Sequence, residues 1–218
     1  MAFVKRVVRS RNHASSRESV LDTVTRELLT ETDFEPESVG ARRWLLERAK
    51  EIYHVNRGFV TKDSERAINS VHDLLPGRMF IFAYDAKHKA TLKYWDRLPL
   101  VMPVERYGDG FLGINFHYLP PQYRFFLIDR LKYFRNNSKY DETTRIRLNY
   151  SLIRRYSRLK YAKPALHRYL YSNVRSKFLW IQPVEWDVAL SLPSENFAKE
   201  QKYVVWKDSR KAIQHDHS

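Results

Sequence analysis

The segment between residues 78 and 118 constrains the fold of this chain more than any other part. It contains three short apolar and aromatic runs, at 78–84, 98–106 and 111–118, separated by polar or glycine-containing turns. The first run is apolar on both faces, like a buried strand, and the prolines of the second favour an edge or irregular strand. Residues 107–110 (YGDG) predict a hairpin turn, because glycine accepts positive φ. The segment therefore predicts a small antiparallel β-sheet or an SH3-like barrel at about 78–118.

Helical periodicity predominates on both sides of this segment. Helices are predicted at about 15–30 (capped by Ser15 or Ser16), 41–54, 63–75, 121–135, 142–158, 164–175, 183–190 and 196–213. A short extended stretch is expected at 178–181. The predicted fold class is α+β, with N-terminal helices and a C-terminal helical region flanking the small sheet or barrel. The predicted regions are a flexible basic arm (1–13), a helical region (14–76), the sheet or barrel (77–120) and a basic helical region (121–218), forming one compact unit from residue 41 onward.

Positive charge is concentrated in two places. The net charge is +14, and residues 124–178 carry 15 basic and only 3 acidic side chains. Residues 1–13 carry four basic and no acidic side chains, whereas the remainder is close to neutral. Such concentration predicts a polyanionic partner, either nucleic acid or an acidic protein surface. The alternative is a solvated face without a partner.

The candidate binding residues are cations of these two regions: Lys5, Arg6, Arg9, Arg11, Arg147, Arg154, Arg155, Arg158, Lys160, Lys163, Arg168 and Arg175. Their spacing places Arg147, Arg154 and Arg158 on one face of a predicted helix. Arginine binds phosphate and carboxylate bidentately, so DNA and an acidic subunit stay open as partners. The arm either orders on a partner or only adds solubility. Interleaved tyrosines are expected in the core rather than stacked on bases: Tyr156, Tyr161, Tyr169 and Tyr171.

Catalytic signals are weak. The chain has no cysteine, which excludes disulfides, thiolate metal sites and a cysteine nucleophile. Carboxylates that a nuclease metal would need occur near the predicted sheet, without a recognisable spacing: Asp85, Asp96, Glu105 and Asp109. His88 and His117 are more typical of structural histidines than of zinc ligands. We therefore expect no enzyme activity, no cofactor and no metal. We also expect no membrane span and no signal peptide, because the sequence contains no apolar run long enough for either.

Residues 77–130 carry a distinctive pattern. Its marks are 84–88 (YDAKH), 94–100 (YWDRLPL) and 110–121 (GFLGINFHYLPP). The pattern resembles a family of virion structural proteins from T-even-like and related large myophages, and continues more faintly through 139–152, 163–176 and 184–192. The resemblance implies a DNA end protector beside the packaged genome, or a neck, tail or baseplate component, and it implies no catalytic residues.

Within this pattern we expect two structural devices. Asp96 and Arg97 are flanked by bulky apolar residues and form either a paired, partly buried charge or a local turn lock. Three glycines permit tight backbone geometry: Gly108, Gly110 and Gly113.

Three functional hypotheses follow. The first is a structural component of a tailed-phage virion, assembled in the host cytoplasm, whose basic arm and arginine-rich helices dock onto acidic neighbouring virion proteins in a multi-subunit assembly. The second is a protein that binds double-stranded DNA and protects packaged genome ends. The third is a metal-dependent nuclease.

Overall fold

A computed structural model describes residues 19–52, 66–68, 70–132 and 162–215. These residues include five α-helices: α1 (Val20–Glu31), α2 (Val39–Lys50), α3 (Pro121–Lys132), α4 (Trp186–Ser191) and α5 (Lys202–His215). They include seven strands: β1 (Met79–Ile81), β2 (Trp95–Asp96), β3 (Leu100–Tyr107), β4 (Gly110–Asn115), β5 (Leu166–Leu170), β6 (Leu179–Ile181) and β7 (Phe197–Ala198). The α+β class is confirmed.

The main sheet has five antiparallel strands in the order β5-β4-β3-β1-β6, and β2 pairs with β7 in a separate two-stranded sheet. Within the described residues the main sheet is open, since its two outer strands do not pair, and it is not a closed barrel. Strand β3 is central, so of the two expected alternatives, an edge strand or an irregular strand, the second holds. The expected irregularity is present, because the register with β4 shifts between Pro103 and Glu105, where proline has no N–H to donate.

Strand β1 shows how sequence alternation creates two cores. Met79 and Ile81 face an aliphatic core that the helices cover, whereas Phe80 faces an aromatic cluster on the opposite side of the sheet. The other buried members of that cluster are Leu74, Phe82, Val101, Phe111, Tyr169 and Phe178. Both faces of the sheet are therefore buried, as the apolar run at 78–84 predicts.

Helix α4 is the centre of the helical layer. All six of its residues are buried, and it packs against α1, α2 and α3. Helix α1 begins with a capping box in which the Ser19 hydroxyl accepts from the Asp22 N–H and the Asp22 carboxylate accepts from the Ser19 N–H. The cap is thus Ser19, not Ser15 or Ser16.

The predicted helix at 164–175 is wrong. This stretch forms strand β5 between two 3-10 turns, because it completes the sheet by pairing with β4. The two strands approach closely at Gly110, where a Cβ atom would lie 2.0 Å from the Tyr169 carbonyl oxygen. The expected role of Gly110 is confirmed, whereas Gly108 in the β3–β4 turn has open space around it and does not adopt positive φ.

Other predicted helices differ in extent. Of the helix expected at 63–75, the described residues contain only a 3-10 turn at Val71–Asp73, and Ala67 forms a β-bridge with Leu179. Helix α5 begins at Lys202 rather than near 196, because β7 pairs with β2. Strand β6 confirms the extended stretch. The predicted helix at 142–158 and the arm at 1–13 lie outside the described residues.

Candidate functional site

A pocket of about 720 Å³ opens between the segment that connects β1 to β2 and strand β5. Backbone hydrogen bonds fix that segment: the Asp85 N–H donates to the Asn173 carbonyl at 3.0 Å, and the Arg175 N–H donates to the Ala83 carbonyl at 2.8 Å. The lining residues come from distant parts of the chain: Tyr84, Ala86, Lys87, His88, Leu92, Lys93, Tyr94, Trp95, Asp96, Asp109, Tyr118, His167, Arg168, Tyr169 and Leu170. The pocket is therefore a product of the tertiary fold.

Aromatic side chains form much of the pocket wall. Tyr84, Tyr94 and Trp95 are half-buried, whereas Tyr118 and Tyr169 are only 6% and 4% exposed. The rings support one another: the ring centroids of Tyr84 and Tyr169 are 4.9 Å apart, and those of Tyr94 and Tyr118 are 6.0 Å apart. Such a wall offers planar apolar surfaces on which a flat group can stack.

The tyrosines of the wall are neutral at physiological pH. Burial raises the pKa of Tyr94 to about 12, as does Asp208, whose carboxylate accepts a hydrogen bond from the Tyr94 hydroxyl at 3.2 Å. Burial likewise raises the pKa of the other three: Tyr84, Tyr118 and Tyr169. Burial lowers the pKa of His167 to about 4, so this ring is also uncharged near neutral pH. The aromatic wall neither attracts nor repels an anion through a net charge of its own.

Three exposed cations line the pocket: Lys87, Lys93 and Arg168. The Arg168 guanidinium lies 3.9 Å from the centroid of the Tyr107 ring and forms an ion pair with Asp109. The side chains of this pair are 40% and 69% exposed, and exposed pairs contribute only about 0–1 kcal/mol. Lys87 makes no ion pair within the described part of the chain. Lys93 is paired with Asp208 at 2.6 Å, so Lys87 and Arg168 are the pocket cations more available to an incoming anion.

A buried polar network lies next to the pocket and is centred on Asp96, which also lines it. One oxygen of this carboxylate accepts from His117 Nδ1 at 2.7 Å and from Asn115 Nδ2 at 3.1 Å. The other accepts from the Leu98 N–H at 3.0 Å. The second ring nitrogen of His117 is 2.8 Å from the Ser194 hydroxyl. The network thereby joins β2 and β4 to the chain that precedes β7.

The hydrogen-bond order Ser194–His117–Asp96 is that of a hydrolase triad. However, these residues are only 3%, 0% and 2% exposed, and neither Ser194 nor His117 lines the pocket. The Ser194 hydroxyl is therefore shielded from solvent in the described structure, and the three side chains tie distant parts of the fold together. The expectation that His117 is a satisfied structural histidine is confirmed.

Asp96 and Arg97 do not pair. Asp96 accepts the N–H of Leu98, which confirms the expected turn lock. Arg97 is exposed, and its guanidinium donates to the side-chain oxygen of Asn196 at 2.7 Å.

A second buried cluster adjoins the first. Arg124 is completely buried, donates to the Leu119 and Leu190 carbonyls at 2.7 and 2.9 Å, and pairs with Glu195. Burial alone would raise the pKa of Glu195, but Arg124, His117 and Lys202 outweigh it and lower this pKa to about 2. Glu195 therefore stays ionised and neutralises the buried guanidinium.

Three of the twelve predicted binding residues lie within the described part. Arg168 lines the pocket, and Arg175 is beside it, with its guanidinium 3.9 Å from the Asp85 carboxylate. Lys163 is exposed in the turn before β5. Outside the described residues lie Lys5, Arg6, Arg9, Arg11, Arg147, Arg154, Arg155, Arg158 and Lys160. Tyr169 is buried, as expected of a core tyrosine, although it also lines the pocket.

The carboxylates considered for a nuclease metal site have other partners. Asp85 pairs with Lys89, Glu105 accepts a hydrogen bond from Tyr107, and Asp109 pairs with Arg168. No group of three or more potential ligands that could hold a metal ion occurs among residues the structure describes. In the same residues, no helix combines the length and apolarity that crossing a bilayer requires.

Sequence reasoning missed the pocket and its network. The alternation of residues 111–118 predicts a polar strand face that carries Asn115 and His117, but both side chains are buried. One signal was available: two hydrogen-bonding side chains that alternate with Ile114 and Phe116 in an aromatic run need buried partners if the run is internal. Nothing in the sequence identified Ser194, which lies 77 residues from its partner.

Comparison with known proteins assigns this sequence to a family. The sequence model described as Phage T4 terminal DNA protecting protein matches residues 55–211, a range that contains the main sheet and every residue that lines the pocket. No significant match to the chain is found among curated proteins or among solved structures. Because the matched range covers well over half of the sequence, the chain belongs to the family of phage T4 terminal DNA protecting proteins.

Proposed function

We propose that this protein binds the ends of a phage genome, remains associated with the virion, and protects the ends by occupying them. The family match carries the proposal, since the family is named for protecting terminal DNA. The second of the three sequence hypotheses is thus favoured over the other two.

The chemistry of the described surface supports DNA binding. Lys87, Lys93 and Arg168 surround an aromatic pocket, and cations combined with aromatic surfaces are typical of sites that hold nucleic acid. Strand β5, which carries Arg168, lies within the basic segment at 124–178. Lys and Arg neutralise phosphates and release counterions, so they supply the salt-dependent part of the affinity.

We further propose that protection requires no catalysis. A bound protein excludes an exonuclease from the terminus by occupying its entry point, and this needs affinity for the end alone. The buried triad geometry allows a direct check, because Ser194→Ala should leave DNA binding and end protection unchanged. Loss of protection in a Ser194→Ala variant that is still folded would instead indicate hydrolytic chemistry.

An exonuclease assay tests the proposal. A linear duplex is incubated with the protein and then with a double-strand exonuclease, and intact DNA is quantified at 50 and 200 mM salt. Protection should be strong at low salt and fall steeply, since roughly six phosphate contacts lose about 10³-fold in affinity over that interval. Closed circular DNA should compete poorly with linear DNA for the protein. Equal competition by circles would refute an end-binding function.

Docking onto acidic subunits of the neck, tail or baseplate stays a prediction. Charge complementarity supports it, since the same cations also bind carboxylates. DNA affinity near physiological salt distinguishes docking from DNA-end binding. If the protein associates with particles but shows no such affinity, the docking hypothesis is favoured.

A further inference from the structure

The pocket beside β5 has the dimensions of a small-molecule site. Its volume of about 720 Å³ falls within the roughly 300–1,000 Å³ of pockets that enclose small ligands. A base or a nucleotide fits such a volume, whereas a base-paired duplex does not. If the chain binds DNA ends, any DNA that enters this pocket is therefore an unpaired nucleotide.

The wall of the pocket suits a nucleobase. Tyr84, Tyr94 and Trp95 retain exposed surface in the wall, and every base has a π-face that stacks on aromatic rings irrespective of its identity. Enzymes that hold an extruded base use the same chemistry, with stacking between aromatic side chains. An uncharged aromatic wall therefore selects for a base without selecting a sequence.

The charged side chains around the pocket favour one orientation of a bound nucleotide, with the base and the phosphate in different places. The buried carboxylate of Asp96 lines the pocket and would repel a phosphate placed against it. The exposed cations Lys87 and Arg168 lie where solvent reaches them. Arg168 is oriented by the Tyr107 ring and has to exchange only a weak surface pair for a phosphate. The phosphate thus belongs outside and the base inside.

From this arrangement we propose that the pocket captures an unpaired nucleotide at the DNA terminus, with its base stacked on Tyr84, Tyr94 and Trp95 and its phosphate bound by Lys87 and Arg168. The inference rests on the proposed function and adds the part of the DNA end that is recognised. An end with a frayed or overhanging nucleotide offers this group directly, whereas an intact duplex interior does not, since its bases are stacked and paired. The pocket would therefore give a preference for termini to a chain whose cations contact phosphates without regard to position.

The experiment uses the full chain and DNA hairpins closed at one end by a loop. The open end is either blunt or carries two unpaired nucleotides, with 2-aminopurine at the last position as a fluorescent reporter of stacking. The overhang should bind about tenfold more tightly than the blunt end, on the scale of one base–aromatic stack, and its fluorescence should be quenched on binding. A hairpin with 2-aminopurine in the paired stem should show no such quenching.

Variants assign the effect to the pocket. Trp95→Leu keeps an apolar side chain but removes the ring and should abolish most of the tenfold preference, whereas Trp95→Phe should retain it. Tyr203→Leu removes a 66% exposed aromatic residue outside the pocket and serves as the matched control. Arg168→Ala should weaken binding of the overhang more than Arg210→Ala, which removes an exposed cation of α5. Circular dichroism melts confirm that each variant is folded.

The outcomes separate this inference from the proposed function. Equal affinity for blunt and overhanging ends, or an unchanged preference in a folded Trp95→Leu variant, would overturn the inference while end binding still stands. Deoxyadenosine monophosphate that binds as tightly as the overhang would also overturn it, because the pocket would then be a site for free nucleotides. A wild-type protein that binds closed circles as well as linear DNA would instead refute the proposed function itself.

Discussion

Removing the carboxylate of Asp96 should destabilise the protein more than any exposed acidic substitution. Asp96 is 2% exposed and accepts hydrogen bonds from four donors: His117 Nδ1, Asn115 Nδ2 and the backbone N–H groups of Leu98 and Asn196, at 2.7, 3.1, 3.0 and 3.4 Å. Asp96→Ala deprives all four donors of their acceptor.

The size of the effect follows from burial. His117 and Asn115 are completely buried, and a buried donor without a partner costs about 1–3 kcal/mol. Because the structure relaxes and these terms are not additive, we expect a loss of about 3–5 kcal/mol, the range for breaking a buried pair. In a chain of this length that loss lowers the melting temperature by about 6–20 °C. The melting temperature of Asp96→Asn should lie between those of Asp96→Ala and the wild type, because the amide oxygen can still accept a hydrogen bond from the Leu98 N–H.

Thermal and urea unfolding at neutral pH measure this prediction. Asp109→Ala is the matched control, because its carboxylate is 69% exposed and pairs with Arg168 at the surface. The control should lose at most about 1 kcal/mol. If Asp96→Ala and Asp109→Ala melted within two or three degrees of each other, the network would contribute no net stability and the reasoning from burial would be wrong.

Two further predictions concern buried titratable groups. The pKa of His167 is about 4 in the folded protein and 6.5 in the unfolded chain. Between these pH values the unfolded state binds more protons than the folded state, so protonation favours unfolding. The melting temperature should therefore fall as the pH is lowered from 6.5 to 4. His167→Gln should lessen this dependence, whereas His88→Gln in the exposed loop should not. Glu195→Gln removes the counter-charge of Arg124 and should cost about 3–5 kcal/mol in urea unfolding at pH 7, against at most about 1 kcal/mol for Glu47→Gln at the surface.

The sheet was predictable where sequence pattern and local geometry agree. The alternating aromatic and aliphatic residues of β1 require two apolar faces, and the turn between β3 and β4 is marked by its glycines. Strand β5 was not predictable in this way, since Leu166, Tyr169 and Leu170 fit a helical period as well. Its pairing with β4, more than fifty residues earlier, decides its conformation.

The site was less predictable than the sheet for a related reason. The pocket requires the 84–95 segment to meet β5, and the network requires His117 to meet both Asp96 and Ser194. Each therefore depends on contacts between residues that are distant in sequence. Charge patterning predicts Arg168 as a candidate binding residue, but it gives no sign of the aromatic pocket that Arg168 lines. Composition indicates what a surface binds, whereas only the fold shows which side chains act together.

In the proposed function, affinity for DNA and preference for its ends have separate physical origins. Phosphate contacts from Lys and Arg act on any stretch of DNA, and they determine how steeply binding falls with salt. The proposed capture of an unpaired nucleotide by the pocket would add nothing along a duplex and would contribute only at a terminus. The cations alone would distribute the protein along the genome, and the pocket alone would bind a single nucleotide weakly. The proposed function combines phosphate contacts from the basic segment at 124–178 with the pocket that Arg168, a residue of the same segment, helps to line, and protection of an end would require both.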